Sequence, residues 1–439
     1  MHKLYPYYTN DGSVGLFSPI DDDIYHSTYG ALTEAYEKFI LPADFKKYFE
    51  NNNEIKILDI CFGIGYNTKS FLNYFLENIT EEKKHYNATI GTDNIFRVNL
   101  SRNHENSNSY NESLDTDNIS TMNNKNSIRK HPKRKIFIDA IDTDKNLAYL
   151  SPFFVTGRTY IKNNKINFKQ EKISKLLNKK NISNIKLKKE IPIILLKLLL
   201  ENNREIIFDK DFINILKNRD YSQYFDKYML NLFEFYENKG CFTTSRINLK
   251  GFLHNIYYRY LSSSYKSALR YLKNNEITLN LKVQDARKAL SETNLQYNYI
   301  FLDAFSPPKC PCLWTLEFFK LLYNKLDSNG MILTYSSAAN VRNTFLEAGF
   351  YIGKIYNETT NKNIGTVAVK NKSLIKHELS EYDLGLLKTK AGIIYRDENL
   401  SLTNEVIIEN NVNNINKSDL ISSSKYIKQY KRKNSGGEK

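Results

Sequence analysis

Four aspartates stand where short apolar runs end. Asp59 lies in Ile55-Lys-Ile-Leu-Asp-Ile60, and Asp144 closes Ile136-Phe-Ile-Asp-Ala-Ile-Asp-Thr-Asp144. Asp285 follows Ile277-Thr-Leu-Asn-Leu-Lys-Val-Gln284, and Asp303 follows Tyr299-Ile-Phe-Leu302. Runs of this kind read as buried parallel strands, and an open α/β sheet binds ligands outside the carboxyl ends of its strands. Gly63 and Gly65 follow the first run, then Asn67. Glycine lets the backbone approach a ligand closely, and Asn67 offers a side-chain cap to a helix through Phe71, Leu72, Phe75 and Leu76. One aspartate at a strand end does no more than cap the next helix. Four along consecutive sheet elements point to one site.

The glycine turn suits an adenosine-bearing cofactor, and its spacing selects among them. A dinucleotide fingerprint needs Gly-x-Gly-x-x-Gly, and counted from Gly63 the third glycine would fall on Thr68. The Asp/Glu-x-Gly-x-Gly-x-Gly turn of S-adenosylmethionine-dependent methyltransferases fits better, because Asp59-Ile-Cys-Phe-Gly-Ile-Gly65 matches it with Cys61 at the first glycine. With that cofactor, Asp59 would serve its amino group through the local network. Asp144, with Asp142 as second candidate, would take the ribose diol, Asp285 the adenine amino group, and Asp303 the reacting centre. The loop Asp303-Ala-Phe-Ser-Pro-Pro308 carries the chemistry in this reading. Methyl transfer to an amine needs a neutral lone pair aimed in line; a carboxylate can orient the N–H bonds, and Phe305 can flank the substrate.

The elements that position these residues follow an alternating pattern. Residues 1–50 read as an extended or hairpin extension, then a helix containing Ala35, Phe39 and Ile40, packed on the sheet. Residues 51–80 and 135–155 form the first half of a methyltransferase domain and 275–400 the second. Between them lie an Asn-rich stretch over 81–134, expected to be disordered, and a Lys- and Leu-rich helical insertion over 156–274, with helices at Glu171–Leu177, Pro192–Leu200 and Tyr228–Tyr236. Residues 401–439 read as a C-terminal tail, basic and frayed from Lys425 to Lys439. The fold class is α/β, a Rossmann-like sheet with a helical insertion.

Bulk properties set bounds. A chain of 439 residues that is 41% apolar can bury a real core. The formal charge of +15 suits a polyanion such as RNA, although an AT-rich coding sequence would also supply many Lys and Asn codons. The four scattered cysteines fit free thiols in a reducing cytoplasm. Cys310-Pro-Cys312 is half a zinc site with no second pair at the right spacing, so no metal is expected. Ile191–Leu200, the most apolar segment, is half the length of a membrane span and contains Lys197, so no membrane association is expected. Oligomeric state is not legible.

Several segments together resemble one family. Asn298-Tyr-Ile-Phe-Leu-Asp-Ala-Phe-Ser-Pro-Pro-Lys-Cys-Pro-Cys-Leu-Trp-Thr315 is similar to the Asp-(Ala/Gly)-Phe-(Ser/Ala)-Pro-x-Lys-x-Pro-x-x-Trp signature of the MnmC methyltransferase domain. Tyr25-His-Ser-x-x-Gly-Ala-x-x-Glu34, Cys61-Phe-Gly-Ile-Gly-Tyr-Asn67 and Thr334-Tyr-Ser-Ser-Ala-Ala-Asn-Val-Arg342 resemble further motifs of that family. The resemblance implies S-adenosylmethionine-dependent methylation of the exocyclic amine of 5-aminomethyl(-2-thio)uridine at the tRNA wobble position. It implies tRNA as partner; the short stretch after the last expected strand and the lack of a second glycine fingerprint lead us to expect a stand-alone methyltransferase without the FAD-dependent oxidoreductase of the two-domain form. Two other readings stay open: an aminopropyltransferase acting on polyamines, and a non-catalytic RNA-binding protein on a methyltransferase scaffold.

Overall fold

The computed structural model describes residues 4–19, 23–25, 28–79, 133–155, 185–202, 210–239, 263–357 and 360–435. The expected disorder over 81–134 lies, up to residue 132, outside these residues, as do the expected helix Glu171–Leu177 and His26 of the N-terminal motif.

An N-terminal hairpin pairs β1 (Tyr5–Tyr8) with β2 (Val14–Ser18), and β3 (Asp23–Ile24) adds to its edge. Asp11 at the hairpin turn accepts hydrogen bonds from the backbone N–H and hydroxyl of Thr33, both at 2.8 Å. The hairpin thereby ties down the first turn of the helix Ala31–Ala35, which lacks a side-chain cap of its own.

The central sheet holds β4 (Glu54–Ile60), β5 (Lys135–Asp142), β6 (Glu276–Val283), β7 (Tyr297–Leu302), β8 (Leu326–Thr334), β9 (Tyr351–Asn357) and β10 (Lys362–Val369), in the order β6-β5-β4-β7-β8-β10-β9. Strands β6 to β8 are parallel, and β10 runs antiparallel to both β8 and β9. The chain leaves β4 toward β5 and β6, then returns to β7 on the other side. The switch point between β4 and β7 is therefore where a ligand crevice opens.

Alternation along the strands feeds two cores. Ile57, Ile138 and Phe301 pack on one face with Phe45, Phe71 and Phe75. Leu58, Ile60, Ile141 and Ile300 pack on the other with Trp314, Phe318 and Phe319. The Phe45 ring lies 4.9 Å from Phe71 and 4.7 Å from Tyr299. Burying each such ring stabilises the fold by about 2–3 kcal/mol.

The described part of the insertion has a structural task. The helix Glu190–Asn202 contributes Ile194, Leu195, Leu198 and Leu199 to the first core. Its last residue covers the edge strand: the Asn202 amide donates to the Leu279 carbonyl at 2.8 Å and accepts from the Leu281 N–H at 2.9 Å. An exposed row of backbone groups is thus partly paired by a side chain instead of another strand.

The segment after 401 is not a loose tail. It forms the helices Asn404–Lys417 and Ser423–Ser435. Ile407 is completely buried in the second core, and Tyr430 packs on Tyr382 of the helix Glu381–Leu387 with ring centroids 5.1 Å apart. In the first of these helices Ile407 and Asn411 dock, while Val406, Ile408 and Val412 are exposed.

Candidate active site

The turn after β4 is built by backbone conformation. Cys61, Gly63 and Gly65 all have positive φ, at 62°, 54° and 70°. Gly65 precedes the helix Tyr66–Tyr74 in the left-handed conformation and supplies its N-cap, which has no side-chain hydrogen bond. Asn67 therefore does not cap this helix, as the sequence suggested. It lies inside the first turn, and its amide donates to Asp303 Oδ2 at 3.0 Å. A side chain at Gly65 would run into Phe62 Cζ at 2.5 Å and Ser151 Oγ at 2.9 Å. At Gly63, which lines the cavity, a Cβ would meet nothing nearer than 3.8 Å.

A cavity of about 690 Å³ opens at the switch point. Its lining includes Gly63, Asp142, Asp285, Asp303 and Phe305, together with Tyr25 and Glu34 from the N-terminal segment. Asp59 and Asn67 stand behind this wall, and Asp144 stands aside from it.

Asp59 is completely buried and accepts the Thr68 hydroxyl at 2.7 Å; its other oxygen has no hydrogen-bond partner among the described residues. Burial pushes its pKa up to about 7, with the Asp303 charge adding to the rise and the Thr68 and Asn67 hydrogen bonds opposing it. Asp303 sits at the mouth of β7, its N–H donating to the Ile60 carbonyl at 3.3 Å. Its pKa also rises to about 7, first through burial and then through the Glu34 charge, against the Asn67 hydrogen bond and the Lys38 charge.

At the end of β5 the two candidate acids separate. Asp144 caps the helix Lys145–Leu150, accepting the Asn146 N–H at 2.9 Å. Asp142 is the acid that reaches the cavity, and it takes over the position expected of Asp144. It accepts the Gly63 N–H at 2.7 Å and the Asp144 N–H at 2.8 Å, which fastens the glycine loop to the neighbouring strand. Asp285 caps its own helix through the Arg287 N–H and is also gripped by the Arg287 guanidinium, with Nη2 to Oδ2 at 2.7 Å. Burial alone would raise its pKa, but the Arg287 hydrogen bonds and charge outweigh burial and hold it low.

Phe305 is fixed from two sides. Its carbonyl accepts Trp314 Nε1 at 2.8 Å, and its ring meets Tyr25 edge-on at 4.9 Å. The next carbonyl upstream, Ala304, accepts the Tyr335 hydroxyl at 2.9 Å. The Asp303–Phe305 loop is thus anchored by two aromatic donors from different elements.

Reasoning from strand ends alone missed part of the wall. Arg287 joins Asp285 to Asp397, a completely buried carboxylate, through Nη1 at 2.8 Å. Asp397 in turn accepts the Ser401 and Leu402 N–H groups. Leu402, Thr403, Asn404 and Glu405 then line the cavity. Cys61, Cys310 and Cys312 also line it, with the last two sulfurs 3.6 Å apart. Among the described residues no cluster suits a metal ion, and no helix is long and apolar enough to cross a membrane.

These features fit S-adenosylmethionine: Gly63 of the glycine turn in the cavity wall and two carboxylates, Asp142 and Asp285, at adjacent strand ends on one cavity. The sheet order with its antiparallel β10 and the glycine turn at the switch point define the fold of an S-adenosylmethionine-dependent methyltransferase.

Comparison with known proteins agrees. Residues 248–371 match a family model described as S-adenosyl-L-methionine-dependent methyltransferase. An uncharacterized protein of Methanocaldococcus jannaschii is 36% identical over 162 residues, covering 36% of this chain and 45% of that protein. The tRNA 5-methylaminomethyl-2-thiouridine biosynthesis bifunctional protein MnmC of Campylobacter fetus is 32% identical over 102 residues, 23% of this chain and 17% of that protein. The matched regions thus span less than half the length of these relatives. The crystal structure of MnmC2 from Aquifex aeolicus superposes with a TM-score of 0.52 at 18% identity, covering 95% of this chain and 87% of that one. Residues 248–371 thus carry the signature of an S-adenosylmethionine-dependent methyltransferase, and the chain shares a segment with MnmC proteins and its fold with MnmC2.

Proposed function

We propose that this protein transfers a methyl group to the exocyclic amine of 5-aminomethyl(-2-thio)uridine at the wobble position of tRNA. The observation that carries the reading is the anchored loop at Asp303. A partly buried carboxylate, an aromatic pair and a second acid, Glu34, share one end of the cofactor-sized cavity. The similarity to MnmC proteins, whose name states tRNA 5-methylaminomethyl-2-thiouridine biosynthesis, supports tRNA as the substrate.

In this reading Gly63 and the first turn of the helix Tyr66–Tyr74 receive the methionyl end of the cofactor, Asp142 the ribose hydroxyls and Asp285 the adenine edge. S-adenosylmethionine supplies an electrophilic methyl group on a sulfonium. The protein's own task is to present a neutral amine. Asp303, as the carboxylate, accepts an N–H of the substrate and fixes the direction of its lone pair. Phe305 and Tyr25 flank the uracil plane and keep water from the nucleophile. Asn67 positions Asp303 by holding Oδ2, leaving the other oxygen for the substrate. Asp59 supports the loop from behind through Thr68.

Nucleoside mass analysis of tRNA from a strain lacking this protein tests the assignment. Accumulated 5-aminomethyl(-2-thio)uridine that disappears on complementation is the expected result. A normal nucleoside profile with altered polyamines would overturn it in favour of aminopropyl transfer.

A further inference from the structure

The C-terminal helix Ser423–Ser435 has a division of labour that the cofactor cavity does not use. Its sequence, Ser-Ser-Lys-Tyr-Ile-Lys-Gln-Tyr-Lys-Arg-Lys-Asn-Ser, holds five basic residues and no acid. Those five charges are a third of the chain's formal excess of +15. Tyr426, Ile427 and Tyr430 are half-buried, whereas Lys425, Lys428, Lys431, Arg432 and Lys433 are exposed. At 100° per residue, Lys425, Lys428, Lys431 and Arg432 fall on one side, and Tyr426 and Tyr430 on the other.

The docking of the tyrosine side is specific. Tyr382 meets Tyr426 at 6.0 Å and Tyr430 at 5.1 Å between ring centroids. Gly385 makes room for the Tyr426 hydroxyl, because a Cβ there would overlap it. The Lys390 N–H donates to the Ile421 carbonyl at 3.0 Å, pinning the connection just before the helix. A basic helix that merely needed to be soluble would not require a seat cut for it.

We infer that this helix is a fixed RNA-gripping element whose basic stripe tracks the phosphates of the substrate RNA. The inference rests on the RNA-substrate reading above and extends it to a surface outside the active site. From Lys425 to Arg432 the stripe runs about 10 Å along the axis at ~1.5 Å per residue. That length reaches two or three successive phosphates of one strand. Lys and Arg contacts to phosphate give affinity without sequence information and make it steeply salt-dependent. Holding the helix rigidly on Tyr382 orients the RNA backbone instead of only attracting it.

The test compares the full chain with the quadruple variant K425Q/K428Q/K431Q/R432Q, using an unmodified tRNA transcript and fluorescence anisotropy between 50 and 300 mM salt. S-adenosylmethionine binding and far-ultraviolet circular dichroism are measured on both proteins and should be unchanged. Losing contacts to two or three phosphates should flatten the slope of log K against log salt by roughly 2, at ~0.7–0.9 per phosphate. Affinity at 100 mM salt should fall at least tenfold. A second variant, Gly385→Trp, keeps every charge but unseats the helix; it should keep most of the salt slope while lowering methyl transfer to tRNA. Equal RNA affinity and equal slope in wild type and quadruple variant would overturn the inference and leave the RNA reading standing. Failure of the wild-type protein to bind the transcript at all would remove the RNA reading and this inference with it. Binding to anionic phospholipid vesicles, lost in the quadruple variant while RNA binding stays unchanged, would reassign the stripe to a membrane surface.

Discussion

The hydrogen bond from Asn67 to Asp303 makes a quantitative prediction about pH. Asp303 is held near a pKa of about 7 because burial and the Glu34 charge favour the neutral acid, while Asn67 and Lys38 favour the carboxylate. The carboxylate is the stronger acceptor for an amine N–H, and the protonated acid would direct its own O–H at the lone pair, so kcat/KM for methyl transfer should rise with pH through about 7. The substrate amine has its own titration, so the wild-type profile alone does not assign the group. The variant Asn67→Ala does. A hydrogen bond to a charged group stabilises it by ~1.5–3 kcal/mol, and one pKa unit corresponds to about 1.4 kcal/mol. Taking the lower end, because Asp303 is only partly buried and water can replace the amide, the midpoint should move up by roughly one unit. Glu34→Gln removes a negative neighbour and should move it down. The assay is kcat/KM with methyl-labelled cofactor and 5-aminomethyluridine-containing tRNA between pH 5.5 and 9, since that ratio reports groups of the free enzyme. Asp303→Asn should abolish the limb and slow transfer by about 10²–10⁴-fold while retaining cofactor binding. Coincident profiles for wild type and Asn67→Ala would refute the assignment of the titrating group to Asp303.

Three other perturbations separate structural from ligand-facing parts of the site. Gly65→Ala forces a Cβ against Phe62 and Ser151 at positive φ, so it should lower stability by about 2 kcal/mol or more; Gly63→Ala, whose Cβ would make only ordinary contacts at 3.8 Å and beyond, should cost about 1 kcal/mol and act mainly on cofactor affinity, which calorimetry can distinguish. Thr68→Val removes the hydroxyl that Asp59 accepts. Because the folded pKa of Asp59 is raised to about 7, its ionisation subtracts stability as pH climbs from the ordinary carboxylate range through 7. The variant should therefore be destabilised more at pH 8 than at pH 5.5, by about 2 kcal/mol at the upper pH, and equal melting-temperature losses at the two pH values would contradict this. Arg287→Met strands the buried Asp397 carboxylate and frees Asp285, so it should cost about 3–5 kcal/mol and raise hydrogen exchange over 397–417; unaltered exchange there would show that the C-terminal segment is held by other contacts.

The sheet was legible because its central strands are covered on both faces, which writes continuous apolar runs at β4, β5 and β7. Acids at the ends of those runs were legible for the same reason, since a charged residue ends the apolar pattern. Two details were not. Asp142 and Asp144 both follow the same run, and only the backbone decides which one turns toward the loop and which caps the next helix. Asn67 looked like a cap because Asn is a strong N-cap residue, but Gly65 in the left-handed conformation starts the helix two residues earlier and turns Asn67 inward. The C-terminal wall was hidden for another reason. Arg287 and Asp397 are 110 residues apart, and nothing local in the Asn-rich helix Asn404–Lys417 announces that Ile407 and Asn411 are buried.

Cys61, where the family turn has glycine, is explained by what surrounds it. A side chain at φ 62° is strained, by about 1–2 kcal/mol. The loop holds that conformation through three backbone donors on its far side: Phe62 N–H to the Ile141 carbonyl at 3.0 Å, Gly63 N–H to Asp142 at 2.7 Å, and Gly65 N–H to the Phe62 carbonyl at 2.7 Å. Each stabilises by about 1 kcal/mol, and the one to a carboxylate by more, so together they offset the strain without a glycine. The glycines that remain are those with a second reason. Gly65 has no room for a Cβ, and Gly63 lines the cavity, where a side chain would intrude. Cys61 has room, and its thiol joins Cys310 and Cys312 in the cavity wall instead. The substitution therefore changes what the cofactor would touch, not whether the turn can form.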